Sequence, residues 1–173
     1  MDGTSCTVYV KDGKVGVCGR NNEYKEDIET CSMWAYVIKH KLKESLIALG
    51  EDIALQGEFC GAGIQKNRLK LLEPTLYVFD VIRIGENDRL IKCGLDKILE
   101  YCGKLGIESV PIEETGDSFC YTLPELIERA KGKYESGLDK EGIVVRTREY
   151  ERIRNDKLSF KVINNDFLIK EKD

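Results

Sequence analysis

The dipeptide Asp12-Gly13, set between Thr4–Val10 and Lys14–Gly19, is the strongest local instruction in the chain. Both flanks are β-branched or alternating runs, and Asp-Gly in a two-residue loop supplies the positive φ angles of a tight hairpin turn. The chain is therefore expected to open with antiparallel strands. Ile53–Phe59 and Leu76–Ile84 read as further strands, the second nearly continuous in apolar residues and so central in its sheet. Gly142–Thr147 and Leu158–Ile163 read as the closing strands.

Between them, apolar residues at 34, 38, 42, 46 and 49 predict one surface helix over Trp34–Leu49, stopped by Gly50. Leu95–Leu105 reads as a second helix and Thr122–Tyr134 as a third. The third is marked by Thr122 with Glu125 three residues on, a capping box, and by Pro124 in the first turn. Strands and helices do not alternate regularly, and no repeat or linker interrupts them. This order predicts a single α+β domain over 1–173 with antiparallel sheets rather than a doubly wound parallel fold.

Composition narrows the function. Apolar residues make up 42% and charged residues 34%, which excludes disorder. A formal charge of −4 excludes coating of nucleic acid by bulk electrostatics, so any such contact has to be local. Two basic clusters are candidates: Lys66, Arg68 and Lys70, and the segment from Arg146 through Arg148, Arg152 and Arg154 to Lys157. Both also fit an ordinary solvated face. No apolar run is long enough to span a membrane and no signal segment opens the sequence, from which a cytoplasmic location is expected. Seven scattered cysteines, with His40 the only histidine, are expected to be reduced thiols rather than a zinc site or a disulfide framework.

Five short runs carry the chemistry: Asp2-Gly3-Thr4-Ser5, Gln56-Gly57-Glu58-Phe59-Cys60-Gly61-Ala62-Gly63, Tyr77-Val78-Phe79-Asp80, Glu141-Gly142-Ile143-Val144-Val145-Arg146, and Ser159-Phe160-Lys161-Val162-Ile163-Asn164. Each alone is commonplace. In this order and spacing they resemble the collinear motifs of the covalent nucleotidyltransferases, which include RNA ligases, DNA ligases and mRNA capping enzymes. Gly-Glu-Phe-Cys-Gly-x-Gly-Ile-Gln and Phe-Lys-Val-Ile-Asn-Asn-Asp-Phe-Leu are most similar to ATP-dependent RNA ligases of the nick-sealing type, in their bacterial branch. The resemblance runs from residue 2 to about residue 170. It implies an α+β nucleotidyltransferase (ATP-grasp-like) domain of antiparallel sheets flanked by helices. It also implies joining of RNA 3′-OH and 5′-phosphate ends through lysyl-AMP and RNA-adenylate intermediates.

What the resemblance implies for individual positions is specific. Asp2 and Gly3 belong to the first motif, Lys-x-Asp-Gly, whose lysine attacks the α-phosphate of ATP; Met1 holds the x position, so that lysine would precede the chain. Two readings follow: a piece whose parent carries the lysine, preferred because the other motifs are undamaged, or a protein that only binds nucleotide or RNA ends. Either way the chain as given is not expected to self-adenylylate. Arg20 would contact a nucleotide phosphate, Glu58 would accept hydrogen bonds from the ribose, and Phe79 would stack on adenine. Glu141 would support Mg²⁺ or Mn²⁺, with Asp80 a weaker metal candidate, and Lys161 would neutralise the α-phosphate. Ile163 stands where some phage-type relatives carry a second lysine, leaving phosphate contact to Lys161, helped by Arg20 or Lys170. ATP, RNA ends or a nicked duplex, and a flanking domain that selects the substrate are the implied partners. A DNA ligase or a capping enzyme is the runner-up, against which the absence of an OB-fold from so short a chain argues.

Overall fold

The computed structural model describes residues 3–148 and 158–170. Asp2 lies outside them, as do Arg152, Arg154, Lys157 and the side chain of Lys170.

The opening hairpin forms as its turn dictates. Strands β1 (Thr4–Lys11) and β2 (Lys14–Cys18) pair antiparallel across Asp12 and Gly13, whose φ angles of 50° and 71° are the positive pair such a turn requires. A short β3 (Glu23–Tyr24) extends the edge. Strands β4 (Ile53–Cys60) and β5 (Thr75–Ile84) follow β1 in space, and β6 (Leu90–Lys92) closes the other edge, giving the order β3-β2-β1-β4-β5-β6. One strand departs from the antiparallel expectation: β7 (Glu108–Ser109) runs parallel to β5, with Tyr77 opposite Glu108. It arrives there through a helical crossover, the connection a parallel neighbour needs.

The helix expected over Trp34–Leu49 is two helices, α1 (Ser32–Lys39) and α2 (Leu42–Leu49), broken at Lys41, which adopts a left-handed φ of 53°. The physical reason lies in the spacing itself. Apolar residues four apart drift by about 40° per step around a helix of 3.6 residues per turn, so an unbroken helix would turn its stripe off the sheet. The break restores the aim, burying Met33, Trp34, Tyr36 and Val37 from α1 and Leu42 and Leu46 from α2. Helix α3 (Leu95–Leu105) adds Ile98, Tyr101, Cys102 and Leu105 to the same core, against Val8, Leu55, Val78 and Val81 of the sheet. All three helices thus cover one face of the large sheet and leave the opposite face open.

Helix α4 (Leu123–Ala130) starts where the capping box placed it, with the Glu125 carboxylate accepting from both the Thr122 N–H and its hydroxyl. It stops four residues before Tyr134, because Gly132 takes a φ of 147° and the chain turns into the Lys133–Asp139 bridge. Strands β8 (Gly142–Arg146) and β9 (Ser159–Ile163) form a separate two-stranded sheet, covered on one side by α4 through Leu126, Ala130 and Val162. A last helix, α5 (Asn165–Lys170), follows β9 and was not expected. Four of the seven cysteines, Cys6, Cys60, Cys93 and Cys102, are buried as small apolar residues.

Candidate active site

The open face of the large sheet and the uncovered face of the small one define the site. On β4, Ile53, Leu55 and Phe59 point into the core, so the alternation sends Gln56 and Glu58 to the open face. Across the β1 pairing, Thr7 stands beside Gln56 and Ser5 beside Glu58. Gly3 closes this end: its N–H donates to Glu58 Oε1 at 3.1 Å. A Cβ there would fall 2.5 Å from the Phe59 carbonyl oxygen and 2.6 Å from Cys60 Sγ. The glycine of the first run and the glutamate of the second are thus joined directly, in a space that admits no side chain.

Phe79 owes its position to a bulge. The register passes from Gln56↔Asp80 to Gly57↔Val78, so Phe79 faces no partner on β4 and is rotated out of the regular alternation. Gly57 stands where the strands crowd, since a Cβ on it would lie 2.5 Å from the Tyr77 carbonyl oxygen. Asp80 follows on the open face opposite Gln56 yet is only 8% exposed.

Arg146 covers it. On β8 the residues whose side chains pack on α4 are Ile143 and Val145. The alternation therefore puts Val144 and Arg146 on the other face, and the pairing of Val144 with Lys161 and of Gly142 with Ile163 puts those β9 residues there too. Arg146 shows where this face looks. Its Nη1 donates to the Phe79 carbonyl at 2.9 Å and lies 3.4 Å from Asp80 Oδ1, with the guanidinium carbon 5.3 Å from the Phe79 ring centroid. The small sheet consequently presents Val144, 53% exposed, Ile163, 42% exposed, and Lys161 towards the open face of the large one.

Lys161 Nζ is hydrogen-bonded to Glu141 Oε1, joining the fourth and fifth motifs at one end of the small sheet. Asn164 fixes that end: its N–H donates to the Glu141 carbonyl at 3.0 Å and its Nδ2 to the Lys140 carbonyl at 2.9 Å. Arg20 does not end β2 but sits two residues past it, exposed in the turn that Gly19 and Asn22 close. Extending the hairpin register by two residues brings it level with Ser5, at the Glu58 end of the sheet.

The arrangement brings together Gly3, Glu58, Phe79 and Asp80 on one wall and Glu141 and Lys161 on the other, with Arg20 at the rim. Among the described residues no three His, Cys, Asp or Glu side chains form a metal cluster. A hard divalent ion that binds through one or two carboxylates and a substrate's phosphates needs none. In this structure Asp80 is engaged by Arg146 and Glu141 by Lys161. Arg146 itself stood in the sequence as the end of the fourth motif run and as one member of a basic cluster, with no role of its own. Its one signal was its even spacing from Val144, which places it on the same face.

A model of the RNA ligase family matches residues 1–163. Among solved structures, a mutant of the Naegleria gruberi RNA ligase with ATP and manganese superposes with a TM-score of 0.86 at 32% identity, over 99% of this chain and 50% of that one. The same ligase with pyrophosphate gives 0.84 at 31% identity, over 99% and 50%. A mutant with AMP and manganese gives 0.82 at 31%, over 100% and 50%. The chain therefore spans about half the length of these solved relatives. No curated protein matches. With the family matched across nearly its whole length and the fold shared at this identity, the chain belongs to the RNA ligase family and carries its nucleotidyltransferase fold.

Proposed function

We propose that the chain is the adenylyltransferase domain of an ATP-dependent RNA ligase that joins RNA 3′-OH and 5′-phosphate ends. The observation that carries the reading is the Lys161–Glu141 pair on one sheet, presented towards the face of the other that holds Glu58 and Phe79. Glu58 accepts hydrogen bonds from the ribose hydroxyls and Phe79 offers its ring to adenine, while Val144 and Ile163 supply apolar surface opposite. Lys161, oriented by Glu141, places its ammonium on the α-phosphate and offsets charge there as the leaving group departs. Arg20 at the rim adds a second fixed cation. Mg²⁺ or Mn²⁺, held by Glu141 and phosphate oxygens, supplies further charge neutralisation.

Three displacements at phosphorus make up the reaction. A lysine amine attacks the α-phosphorus of ATP and pyrophosphate leaves. An RNA 5′-phosphate oxygen then attacks the lysyl-AMP phosphorus and the lysine leaves. Finally the 3′-hydroxyl oxygen attacks the RNA 5′-phosphorus, losing its proton, and AMP leaves. Glu58, Phe79, Glu141 and Lys161 support ATP binding and the third displacement.

A preadenylylated RNA nick is expected to be sealed slowly, and Lys161→Met to lower that rate by about 10²-fold, the scale of losing one charge-stabilising donor. ATP binding without any sealing would favour the nucleotide-binding module over the ligase. Equal sealing by Lys161→Met would remove Lys161 from the mechanism.

A further inference from the structure

The loop between β4 and β5, residues 61–74, is built more firmly than a connector needs to be. Three of its non-glycine residues, Gln65, Asn67 and Lys70, take left-handed φ angles of 46°, 42° and 53°. Such conformations persist only where the surroundings over-determine them. Here they do. The Asn67 side chain brackets Leu71, donating to its carbonyl at 2.9 Å and accepting from its N–H at 3.0 Å. Ser136 Oγ donates to the Arg68 carbonyl at 2.6 Å, and Lys70 Nζ to the Ser136 carbonyl at 3.0 Å. The Arg68 guanidinium lies 4.6 Å from the centroid of the Phe167 ring on α5.

These ties fasten the loop to the segment just before Glu141 and to the helix just after β9. The loop itself leaves β4 two residues beyond Glu58. Lys66, Arg68 and Lys70 thus belong to a loop that links the Glu58 end of β4 to Ser136, ahead of Glu141, and to Phe167, beyond β9. The loop's one carboxylate, Glu73, is held by Lys39 and its pKa is lowered, first by that hydrogen bond. In a chain of net charge −4, this is a local, rigidly held cationic ledge beside the phosphate-handling pair.

We propose that this ledge seats the sugar-phosphate backbone of the RNA strand that brings its 5′-phosphate to the site, with Lys66 and Lys70 on phosphates and the stacked Arg68 as their support. The proposal rests on the ligase reading above and adds to it where the substrate lies. Fixed cations position a backbone without reading its sequence.

The test is binding of a nicked RNA duplex with a 5′-phosphate, followed by fluorescence anisotropy across salt concentrations, with ATP affinity measured on the same preparations. For Lys66→Gln/Lys70→Gln the slope of log K against log salt should fall by about 1.8, two contacts at about 0.9 each, with ATP affinity unchanged. Lys97→Gln/Lys104→Gln, the same charge change on α3, should keep the wild-type slope. If loss of the Lys70 tether unseats the loop, seen as a lower melting temperature, Lys66→Gln alone should still lower the slope by about 0.9. An unchanged slope in both loop variants, an equal fall in the α3 variant, or a wild-type chain that binds ATP but no RNA would each overturn the proposal. The last would leave the nucleotide site standing, whereas a wild-type chain that binds no ATP would remove the site and the ledge's role together.

Discussion

Replacing Arg146 by methionine tests whether the two sheets are locked where the base is expected to sit. The side chain makes a hydrogen bond to the Phe79 carbonyl at 2.9 Å, an ion pair with Asp80 at 3.4 Å and a ring contact at 5.3 Å. A hydrogen bond from a charged donor contributes about 1.5–3 kcal/mol, and a partly exposed cation–π contact about 0.5–1 kcal/mol. The ion pair is neither fully exposed nor fully buried, since Arg146 keeps 30% of its side-chain exposure and Asp80 12%. It therefore falls between the value below about 1 kcal/mol for surface pairs and the 3–5 kcal/mol cost of stranding a buried charge. These terms share one guanidinium and do not add; about 2 kcal/mol of unfolding free energy is the expected loss. Because the hydrogen bond ends on the bulged residue itself, the bulge should relax and ATP affinity should fall about tenfold, or about 1.4 kcal/mol. Urea unfolding and calorimetric titration with ATP and Mg²⁺ would measure both. Asp80→Asn in the methionine background removes the carboxylate charge that Arg146 faced, so a cycle over the two positions should show a coupling of about 1 kcal/mol. Wild-type ATP affinity in Arg146→Met, with a coupling below about 0.3 kcal/mol, would refute the lock.

Two further outcomes follow from local structure. Thr122→Ala removes the hydroxyl that donates to Glu125 at the start of α4, and should lower stability by about 1 kcal/mol in urea unfolding, with Thr122→Ser close to wild type; equal loss in both would refute the cap. Iodoacetamide at pH 7.5 should modify the exposed Cys120 first and leave Cys6 and Cys102 intact until the chain unfolds. Burial pushes the pKa of Cys6 to about 12 and that of Cys102 to about 11, so their reactive thiolates are scarce at that pH, and early labelling of either by mass spectrometry would contradict their burial.

What the sequence made legible was local chemistry. The hairpin at Asp12-Gly13, the span of α3 and the start of α4 each rest on residues that dictate their own backbone, and each stands where expected. The break at Lys41 was not legible because lysine has no preference for the left-handed region; the sheet demands it. Helix α5 did leave a trace: Asn164 Oδ1 accepts from the Asp166 N–H at 3.1 Å, the Asx geometry that often opens a helix, but a six-residue helix has no periodicity to read. For the candidate site, the motifs pointed to Glu58, Phe79, Glu141 and Lys161, which the structure sets on the two sheets and beside them. The role of Arg146 stayed hidden because it depends on the meeting of two sheets and on a bulge that no residue of β5 announces.

The two walls of the site differ in what holds them. The Glu58 and Phe79 wall is the outer face of a seven-stranded sheet whose other face carries a core of more than twenty buried side chains. The Lys161 wall is a two-stranded sheet whose core with α4 has three buried residues, Leu126, Ala130 and Val162, and an isolated two-stranded sheet is marginal in water. Its order must come from outside. The Arg146 contacts supply some of it. So do the Arg148–Asp96 ion pair at 3.0 Å with the Leu95 N–H donating to the Arg148 carbonyl, and so do the ties from the 61–74 loop. Each of these reaches back to the large sheet, to the helix packed on it or to the loop leaving β4. Glu141 and Lys161 thus lie in the less firmly held half of the candidate site, held by few points, and a ligand spanning both walls would bind to the half that most needs ordering. Removing any one point should therefore loosen the small sheet and weaken ligand binding together while the large core stays folded.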